Sequence, residues 1–286
     1  MNNPLFFIAE AGVNHNGDLQ NALKLVDAAA AAGADAVKFQ TFTAKDTVSR
    51  KTKTTGYQQL NTGEVDQYKL LKSLELNEND YGIIRDHCLN NGLEFMSTAF
   101  DVDSANFLVK LGISRIKIPS GEITNLPFLE HLGKLNLPLI LSTGMSTLNE
   151  ISDAINSINM SRQNNGLLEI GRKDLTILHC TSAYPAPKSE LNLNAIRTIR
   201  ETFEFPVGYS DHSLGFEAGI ACLALGSTMY EKHFTLDRNM VGPDHASSLE
   251  PTELKQMIEI FRETILMLGS GEKVPQKSEL EARNLV

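Results

Sequence analysis

The stretches Gly208-Tyr209-Ser210-Asp211-His212 and Tyr230-Glu231-Lys232-His233 each begin like an apolar β-strand and end in polar or charged side chains. The same pattern occurs at Ile8-Ala9-Glu10, Val37-Lys38-Phe39-Gln40, Met96-Ser97-Thr98, Ile116-Lys117-Ile118-Pro119-Ser120, Ile140-Leu141-Ser142-Thr143-Gly144 and Leu178-His179-Cys180-Thr181. In a (β/α)8 barrel the carboxyl ends of all strands meet at one mouth, where active sites are built. The ordered series of runs therefore predicts an α/β enzyme with a (β/α)8 (TIM) barrel fold.

Amphipathic segments separate the predicted strands, and helix-capping residues stand at their ends. Asp18 is a good N-cap for a helix that stops at Gly33, and Thr147 with Glu150 makes a capping box. Short strands that alternate with helices are typical of a parallel sheet. We expect the catalytic barrel to occupy residues 1–268, followed by a polar, linker-like tail over residues 269–286.

The polar stretch from Thr41 to Glu75 separates the second predicted strand from the next helix. A loop of this length inside a compact domain is usually functional or disordered. We interpret it as a lid or substrate loop.

Composition limits the classes of function. A chain of 286 residues suits one barrel, and a net charge of −9 argues against a general nucleic-acid binder, although local lysines can still hold an anion. Met1-Asn2-Asn3-Pro4 lacks signal-peptide features, and no apolar run approaches the roughly 20 residues needed to span a membrane. We expect a cytoplasmic protein that binds neither nucleic acid nor membrane, with Cys88, Cys180 and Cys222 as reduced core thiols.

Two histidines end neighbouring strands of the predicted barrel. His212 and His233 can share a divalent metal and leave positions open for water and substrate, because adjacent strands lie about 5 Å apart. Their spacing alone does not separate zinc from manganese or magnesium. The alternative is that each histidine is structural or acts in acid–base chemistry.

Two lysines, Lys38 and Lys117, lie within strongly apolar strands. A buried ammonium group needs an anionic partner, which is either a protein carboxylate such as Glu10 or Glu122, or a bound phosphate or carboxylate. Hydroxyl donors stand around the same mouth at Ser120, Ser142, Ser182 and Ser210. Lysines with several hydroxyls favour a small, multiply charged anion as ligand.

Two carboxylates stand at the ends of the first and eighth predicted strands, which are neighbours in a closed barrel. Glu10 ends the first strand, and Asp244 follows the eighth, so these carboxylates can approach each other and hold sugar hydroxyls or act as acid and base. The alternative for Asp244 is a role in a surface turn. The segment Gly12-Val13-Asn14-His15-Asn16-Gly17 resembles a phosphate-binding loop only loosely, since it lacks the Lys-Ser/Thr ending. We assign no nucleotide binding to it.

Motifs across nearly the whole chain resemble those of the sialic acid synthase family. They are Phe7-Ile8-Ala9-Glu10-Ala11-Gly12-Val13-Asn14-His15-Asn16-Gly17, Val37-Lys38-Phe39-Gln40, Ile118-Pro119-Ser120-Gly121-Glu122, Leu141-Ser142-Thr143-Gly144-Met145, His179-Cys180-Thr181-Ser182-Ala183-Tyr184-Pro185, Gly208-Tyr209-Ser210-Asp211-His212, Glu231-Lys232-His233-Phe234 and Gly242-Pro243-Asp244-His245. The resemblance implies a metal-dependent condensation of phosphoenolpyruvate with N-acetylmannosamine or a related amino sugar. The product would be a nonulosonic acid of the neuraminate, legionaminate or pseudaminate type.

The resemblance also implies roles for individual residues. The residues that would hold phosphoenolpyruvate are Lys38, Thr98, Lys117, Ser120, Ser142 and Ser210, together with Ser182, where relatives often have asparagine. Those that would face the amino sugar are Glu10, Gln40, Tyr184 and Asp244. His212 and His233 would bind Mn²⁺ or a similar divalent ion, and Glu122 would lie near the reacting carbons, with Glu10 or Glu122 moving protons.

Family members usually continue into a small antifreeze-like domain that sends an arginine into the partner's sugar site. Glu279-Leu280-Glu281-Ala282-Arg283-Asn284 resembles the entry to its linker, so we expect a homodimer whose cap is absent or supplied by another chain. Two alternatives stay open at this point. One is a Schiff-base pyruvate aldolase with Lys38 or Lys117 as nucleophile, and the other is a barrel that binds the anion without turnover.

Overall fold

The computed structural model describes residues 5–285, so the predictions that concern residues 1–4 and 286 lie outside the described residues. The strands are β1 (Phe6–Gly12), β2 (Ala36–Thr41), β3 (Glu94–Ala99), β4 (Ile116–Ile118), β5 (Leu139–Ser142), β6 (Leu175–Cys180), β7 (Val207–Asp211) and β8 (Met229–His233). They pair in parallel in chain order, and β8 pairs with β1 to close the barrel. The predicted (β/α)8 fold is confirmed.

Helices connect the strands on the outside of the barrel. They are α1 (Leu19–Ala32), α2 (Ala44–Thr47), α3 (Gly56–Thr62), α4 (Gln67–Leu74), α5 (Glu78–Asn90), α6 (Val102–Leu111), α7 (Leu126–Lys134), α8 (Leu148–Asn164), α9 (Ala195–Phe203), α10 (Glu217–Ala224), α11 (Pro251–Leu268) and α12 (Leu280–Arg283). None of the helices within residues 5–285 is both long and apolar enough to cross a membrane.

The predicted helix caps are present. Asp18 accepts a hydrogen bond from the Asn21 N–H, and Gly33 ends α1 with a φ of 82°, a left-handed conformation that favours glycine. Both halves of the Thr147–Glu150 capping box form at the start of α8. The sequence predicts these caps because each capping residue satisfies backbone groups that the first or last helical turn leaves unpaired.

The prediction of a long loop from Thr41 to Glu75 is wrong. This stretch folds into α2, α3 and α4, with Leu70 and Leu74 of α4 buried against Val13 and Phe42. The polar composition of the stretch gives no sign of these short helices in the sequence. Each begins at a capping residue; for α4 this is Asp66, which accepts a hydrogen bond from the Lys69 N–H. Few apolar positions suffice because each helix buries only one short face.

Strand β7 continues through the polar end of its run, as far as Asp211. Ser210 therefore lies within the parallel ladder, where it pairs with Glu231. The tail prediction covers residues 269–285 of the described chain, which are exposed and include a 3-10 turn at Lys277–Glu279 before α12. The domain boundary at residue 268 stays a prediction.

The core has two parts, divided by the barrel wall. Inside the barrel, a small apolar cluster closes the end opposite the mouth, and it consists of Ile8, Ala36, Met96, Ile140, Leu178 and Met229. A much larger cluster fills the space between the strands and the surrounding helices. Since side chains alternate along a strand, the inward positions two residues beyond this cluster, Glu10 after Ile8 and Lys38 after Ala36, point into the mouth.

Gly208 gives a test of this interior packing. A Cβ atom there would lie 2.4 Å from the Met229 carbonyl oxygen and 2.6 Å from Leu178 Cδ2, so Gly208→Ala should lower the free energy of unfolding by about 2 kcal/mol. Urea unfolding followed by circular dichroism measures the change.

Gly82→Ala in α5 is the matched control for that substitution. No atom lies within 4 Å of the added Cβ, and the change should stabilise the protein by about 0.5–1 kcal/mol through helix propensity. Equal unfolding midpoints for the two variants would contradict the packing described here.

Candidate active site

Two carboxylates and two ammonium groups form a buried cluster at the carboxyl ends of β1, β2, β4 and β8. Lys38 Nζ lies 2.6 Å from Glu10 Oε2 and 3.6 Å from Glu231 Oε2. Lys117 Nζ lies 3.1 Å from the other oxygen of Glu231. All four side chains are at most 5% exposed. Glu231 therefore links both lysines, and we call these four residues the charge cluster.

Burial and charge act in opposite directions on this cluster. Burial acts to raise the pKa of Glu231, but Lys117 and Lys38 outweigh it and hold the pKa well below its usual range. Burial raises the pKa of Glu10 to about 7, although Lys38 acts to lower it. Near neutral pH, Glu10 is thus poised to hold or release a proton, and with Glu10 protonated the cluster carries a net positive charge.

The charge cluster borders a cavity of about 180 Å³ at the barrel mouth. Hydroxyl groups surround it: Thr98 Oγ1 accepts a hydrogen bond from Lys38 at 2.9 Å, and Ser210 donates to Glu231 at 2.8 Å. Ser142 is buried, and its hydroxyl has no hydrogen-bond partner among residues 5–285. We call this space the anion cavity because its lysines and hydroxyls are donors suited to a small anion.

The two predicted metal-binding imidazoles lie on the same cavity, with ring centroids 5.6 Å apart. His212 Nδ1 donates to the Thr181 carbonyl at 2.8 Å, which leaves Nε2 as the acceptor, 3.0 Å from the Tyr184 hydroxyl. Burial lowers the pKa of His233 well below its ordinary value, so this imidazole is neutral.

Burial acts to lower the pKa of His212, but Cys180 outweighs it and raises the pKa, so a divalent ion at this site would have to displace a proton from His212. The buried Nδ1 of His233 has no partner among the described residues, and a backbone carbonyl orients His212 as metal-ligating histidines usually are. No group of three or more histidine, cysteine or carboxylate ligands occurs within residues 5–285. Any remaining ligands would be water or substrate atoms.

A second, smaller cavity of about 120 Å³ adjoins the first and shares Gln40, Tyr184 and His233 with it. Its other lining residues are Val13, Tyr57, Gln58, Leu70, Leu71, Leu74, Pro243 and Asp244. Burial raises the pKa of Asp244 to about 6, although His212 acts to lower it. We call this space the second cavity; it combines polar groups with an apolar wall and contains no lysine or arginine.

The structure brings most of the predicted site residues together. Those that line the anion cavity are Glu10, Lys38, Gln40, Thr98, Lys117, Ser120, Ser142, Ser182, Tyr184, Ser210, His212 and His233. Asp244 lines the second cavity instead. Glu122 lines neither, because it lies in a 3-10 turn and its carboxylate accepts a hydrogen bond from Asn125 at 2.7 Å. Glu122 directly follows the lining residues Ser120 and Gly121, and its place near the reacting atoms stays a prediction.

Several lining residues are absent from the predicted set, and Glu231 and Tyr57 are among them. Glu231 is the centre of the charge cluster, and its position two residues before His233 on one strand face was the available signal. Tyr57 stacks on Tyr184 with ring centroids 5.5 Å apart. It was missed because its segment was interpreted as a loop without assigned side chains.

A wider groove of about 660 Å³ lies beside the mouth, between the start of α8 and α9. Its lining includes serine, threonine and asparagine side chains and Glu190, but no lysine or arginine. Size alone therefore does not identify the reactive site. The anion cavity is the stronger candidate because it gathers the buried charges.

The chain resembles known proteins along most of its length. A family model described as the NeuB family matches residues 25–273. N,N'-diacetyllegionaminic acid synthase of Legionella pneumophila is 48% identical over 98% of this chain and 78% of that protein. The protein of the same name from Campylobacter jejuni is 46% identical over 98% of this chain and 82% of that protein.

Among solved structures, an N-acetylneuraminic acid (sialic acid) synthetase from Leptospira borgpetersenii superposes with a TM-score of 0.87. It is 34% identical, and the match covers 99% of this chain and 92% of that one.

Glu231→Gln tests the electrostatic role assigned to Glu231. The substitution leaves Lys117 without its carboxylate partner and should lower the free energy of unfolding by about 3 kcal/mol at pH 7. Because the pKa of Glu231 is depressed in the folded protein, this stabilisation is present above the pKa of the unfolded chain and is lost as the pH falls. Urea unfolding at pH 7 and at acidic pH measures both effects.

Glu259→Gln is the control, since Glu259 forms an exposed ion pair with Lys255 on α11 and should leave the unfolding midpoint unchanged. A wild-type midpoint for Glu231→Gln at pH 7 would refute the role of Glu231 as the shared partner of both lysines.

Proposed function

The chain belongs to the NeuB family, and from that premise we propose that it condenses phosphoenolpyruvate with an amino sugar to give a nonulosonic acid and phosphate. The observation that carries the proposal is the charge cluster. Two buried lysines and several hydroxyls line a cavity at the barrel mouth that suits a small, multiply charged anion. The names of the two relatives at 48% and 46% identity support a product of the N,N'-diacetyllegionaminic acid type.

Phosphoenolpyruvate would bind in the anion cavity. Lys38 and Lys117 would neutralise its phosphate and carboxylate, while Ser142 offers a hydroxyl that no protein group uses. The remaining polar contacts assigned to this ligand come from Thr98, Ser120, Ser182 and Ser210. These donors are held in place before the ligand arrives, which is the arrangement that stabilises developing charge most effectively.

His212 and His233 would hold a divalent ion, for which we propose Mn²⁺. Such an ion would supply Lewis-acid polarisation of the sugar aldehyde. His233 Nδ1 has no partner among the described residues, whereas the ion would have to replace the Tyr184 hydroxyl at His212 Nε2, 3.0 Å away.

The amino sugar would occupy the second cavity, with its aldehyde directed toward the anion cavity. Gln40, Tyr184 and Asp244 are the polar groups available to its hydroxyl and acetamido substituents. Leu70, Leu71 and Leu74 of α4 form an apolar wall on the same cavity. The stretch that we interpreted as a lid therefore contributes to the sugar site as helices.

The reaction joins C3 of phosphoenolpyruvate to the aldehyde carbon of the sugar. Water then adds at C2, and the C–O bond to phosphate breaks as phosphate leaves. Glu10 lines the anion cavity, and its pKa of about 7 suits a group that moves a proton during these steps. The lysines balance the negative charge of the phosphate and carboxylate throughout.

One observation favours a second candidate function, a Schiff-base aldolase. Burial lowers the pKa of Lys117, which would favour a neutral, nucleophilic amine. Against this, Lys117 Nζ lies 3.1 Å from Glu231, a partner that stabilises the ammonium form. Borohydride treatment in the presence of pyruvate separates the two functions, because only a Schiff base gives a trapped covalent adduct.

We further propose a cytoplasmic homodimer, with a cap domain or a separate chain completing the sugar site. The three buried, free cysteines are compatible with a reducing compartment. Light scattering of the purified protein, alone and with substrates, tests the dimer.

Phosphate release measures the proposed reaction directly. Purified protein with phosphoenolpyruvate, Mn²⁺ and an amino sugar should release phosphate, and EDTA should abolish the release. His212→Ala and His233→Ala should each lower kcat/KM by at least about 100-fold, because each removes one of two protein ligands. His87→Ala is the control, since His87 pairs with Asp27 on the outer helices and should keep full activity. Binding of phosphoenolpyruvate without phosphate release would favour the barrel that lacks turnover.

The composition of the second cavity predicts discrimination between sugars. No lysine or arginine lines it, and a phosphorylated sugar would place an unpaired anion beside Asp244. N-acetylmannosamine 6-phosphate should therefore have a kcat/KM about 100-fold below that of N-acetylmannosamine or a diacetamido sugar. Equal kcat/KM values for the free and phosphorylated sugars would refute this assignment of the second cavity.

A further inference from the structure

The segment Asn14-His15-Asn16 follows β1 and resembles a phosphate loop, yet it faces no anion site. Asn14 and His15 are almost completely buried, at 0% and 1% exposure. The ring of His15 packs toward Phe39 of β2, with centroids 6.1 Å apart. The segment is thus fixed to the barrel wall, and its two asparagine side chains are directed to another part of the chain.

Those side chains bind the connection between β8 and α11, residues 234–250, which we call the β8–α11 loop. Asn14 Nδ2 donates to the Phe234 carbonyl at 2.8 Å and to Ser248 Oγ at 3.0 Å. The Ser248 hydroxyl in turn donates to the carbonyl of Asp244 at 2.7 Å. Asn14 therefore holds both ends of the loop and, through Ser248, the backbone of Asp244.

Asn16 holds the middle of the same loop. Its Nδ2 donates to the Val241 carbonyl at 2.9 Å, so its Oδ1 is the acceptor for His245 Nε2 at 3.2 Å. His245 then has Nδ1 free to accept from the Thr235 hydroxyl, 2.6 Å away. These contacts fix the residues on either side of Asp244, and His245 is fully buried.

We propose that Asn14 and Asn16 are positioning residues that set the carboxylate of Asp244 in the second cavity. The inference rests on the proposed function, in which Asp244 faces the amino sugar. Neither asparagine lines the anion cavity or the second cavity, so both act through the β8–α11 loop. Loss of these asparagine contacts would weaken sugar binding and leave phosphoenolpyruvate binding largely intact, because the two lysines of the charge cluster lie on β2 and β4, away from the β8–α11 loop.

Asn16→Ala is the variant of choice, since Asn16 is only half-buried and its removal leaves the barrel core untouched. The KM for the amino sugar should rise about 5- to 10-fold, with the KM for phosphoenolpyruvate changed less than about 2-fold. Amide hydrogens of residues 236–248 should exchange faster than in the wild type. Asn16→Asp keeps the acceptor for His245 but loses the donor to Val241, so its effects should be intermediate.

Asn165→Ala is the matched control, because Asn165 also donates once to a backbone carbonyl, that of Ser161 at 2.8 Å, but at the far end of α8. It should change neither KM nor the exchange of residues 236–248. In an Asp244→Ala background, Asn16→Ala should add no further rise in the KM for the sugar, since the two residues act as a unit.

Unchanged exchange in residues 236–248 of Asn16→Ala would overturn the proposal, as would equal rises in both KM values or additive effects in the double variant. If the wild type turns over no amino sugar at all, the proposed function fails instead. The exchange rates and the calorimetric affinity for the sugar then decide whether Asn14 and Asn16 hold the β8–α11 loop and whether this contact affects the second cavity.

Discussion

Burying two ammonium groups next to two carboxylates is the constraint on which this barrel depends. Each charge would be costly to desolvate alone, and replacing all four with apolar residues would often cost nothing or even stabilise a protein. The cluster of Glu10, Lys38, Lys117 and Glu231 is therefore better explained by use than by stability. The two carboxylates compensate the buried ammonium groups, and a bound anion would take over part of that compensation.

The ends of β7 and β8 also carry an ion pair, which lies on the outer face of the barrel. Lys232 Nζ lies 2.7 Å from Asp211 Oδ2, and both side chains are at most 1% exposed. Asp211 also accepts from the Ser213 N–H at 2.8 Å, which ties down the backbone on both sides of His212. Lys232 and Asp211 directly precede His233 and His212 in the chain. Their ion pair on the outer face therefore holds β7 and β8 together, while the two histidines that follow face the cavities.

Much of this arrangement was readable from the sequence, and the failures have physical reasons. Alternation along short strands placed Lys38 and His233 at the mouth because a side chain's face depends only on its position in the strand. Helices α2, α3 and α4 were missed because short polar helices bury too little apolar surface to show a period. The role assigned to Glu122 stays a prediction; its carboxylate accepts a hydrogen bond from Asn125 in the 3-10 turn after β4.

The charge cluster also explains how a chain with a net charge of −9 can offer a site for an anion. Surface charges act on a ligand through solvent, where their influence fades over about 8 Å at physiological ionic strength. Donors inside the anion cavity act in a medium of low dielectric, where the same charges interact far more strongly. The sign of the whole protein therefore matters little to binding, whereas the protonation of Glu10, with its pKa of about 7, decides whether the cluster is neutral or positive. The charges and donors that line the anion cavity, rather than the net charge of the chain, therefore decide whether it suits an anion.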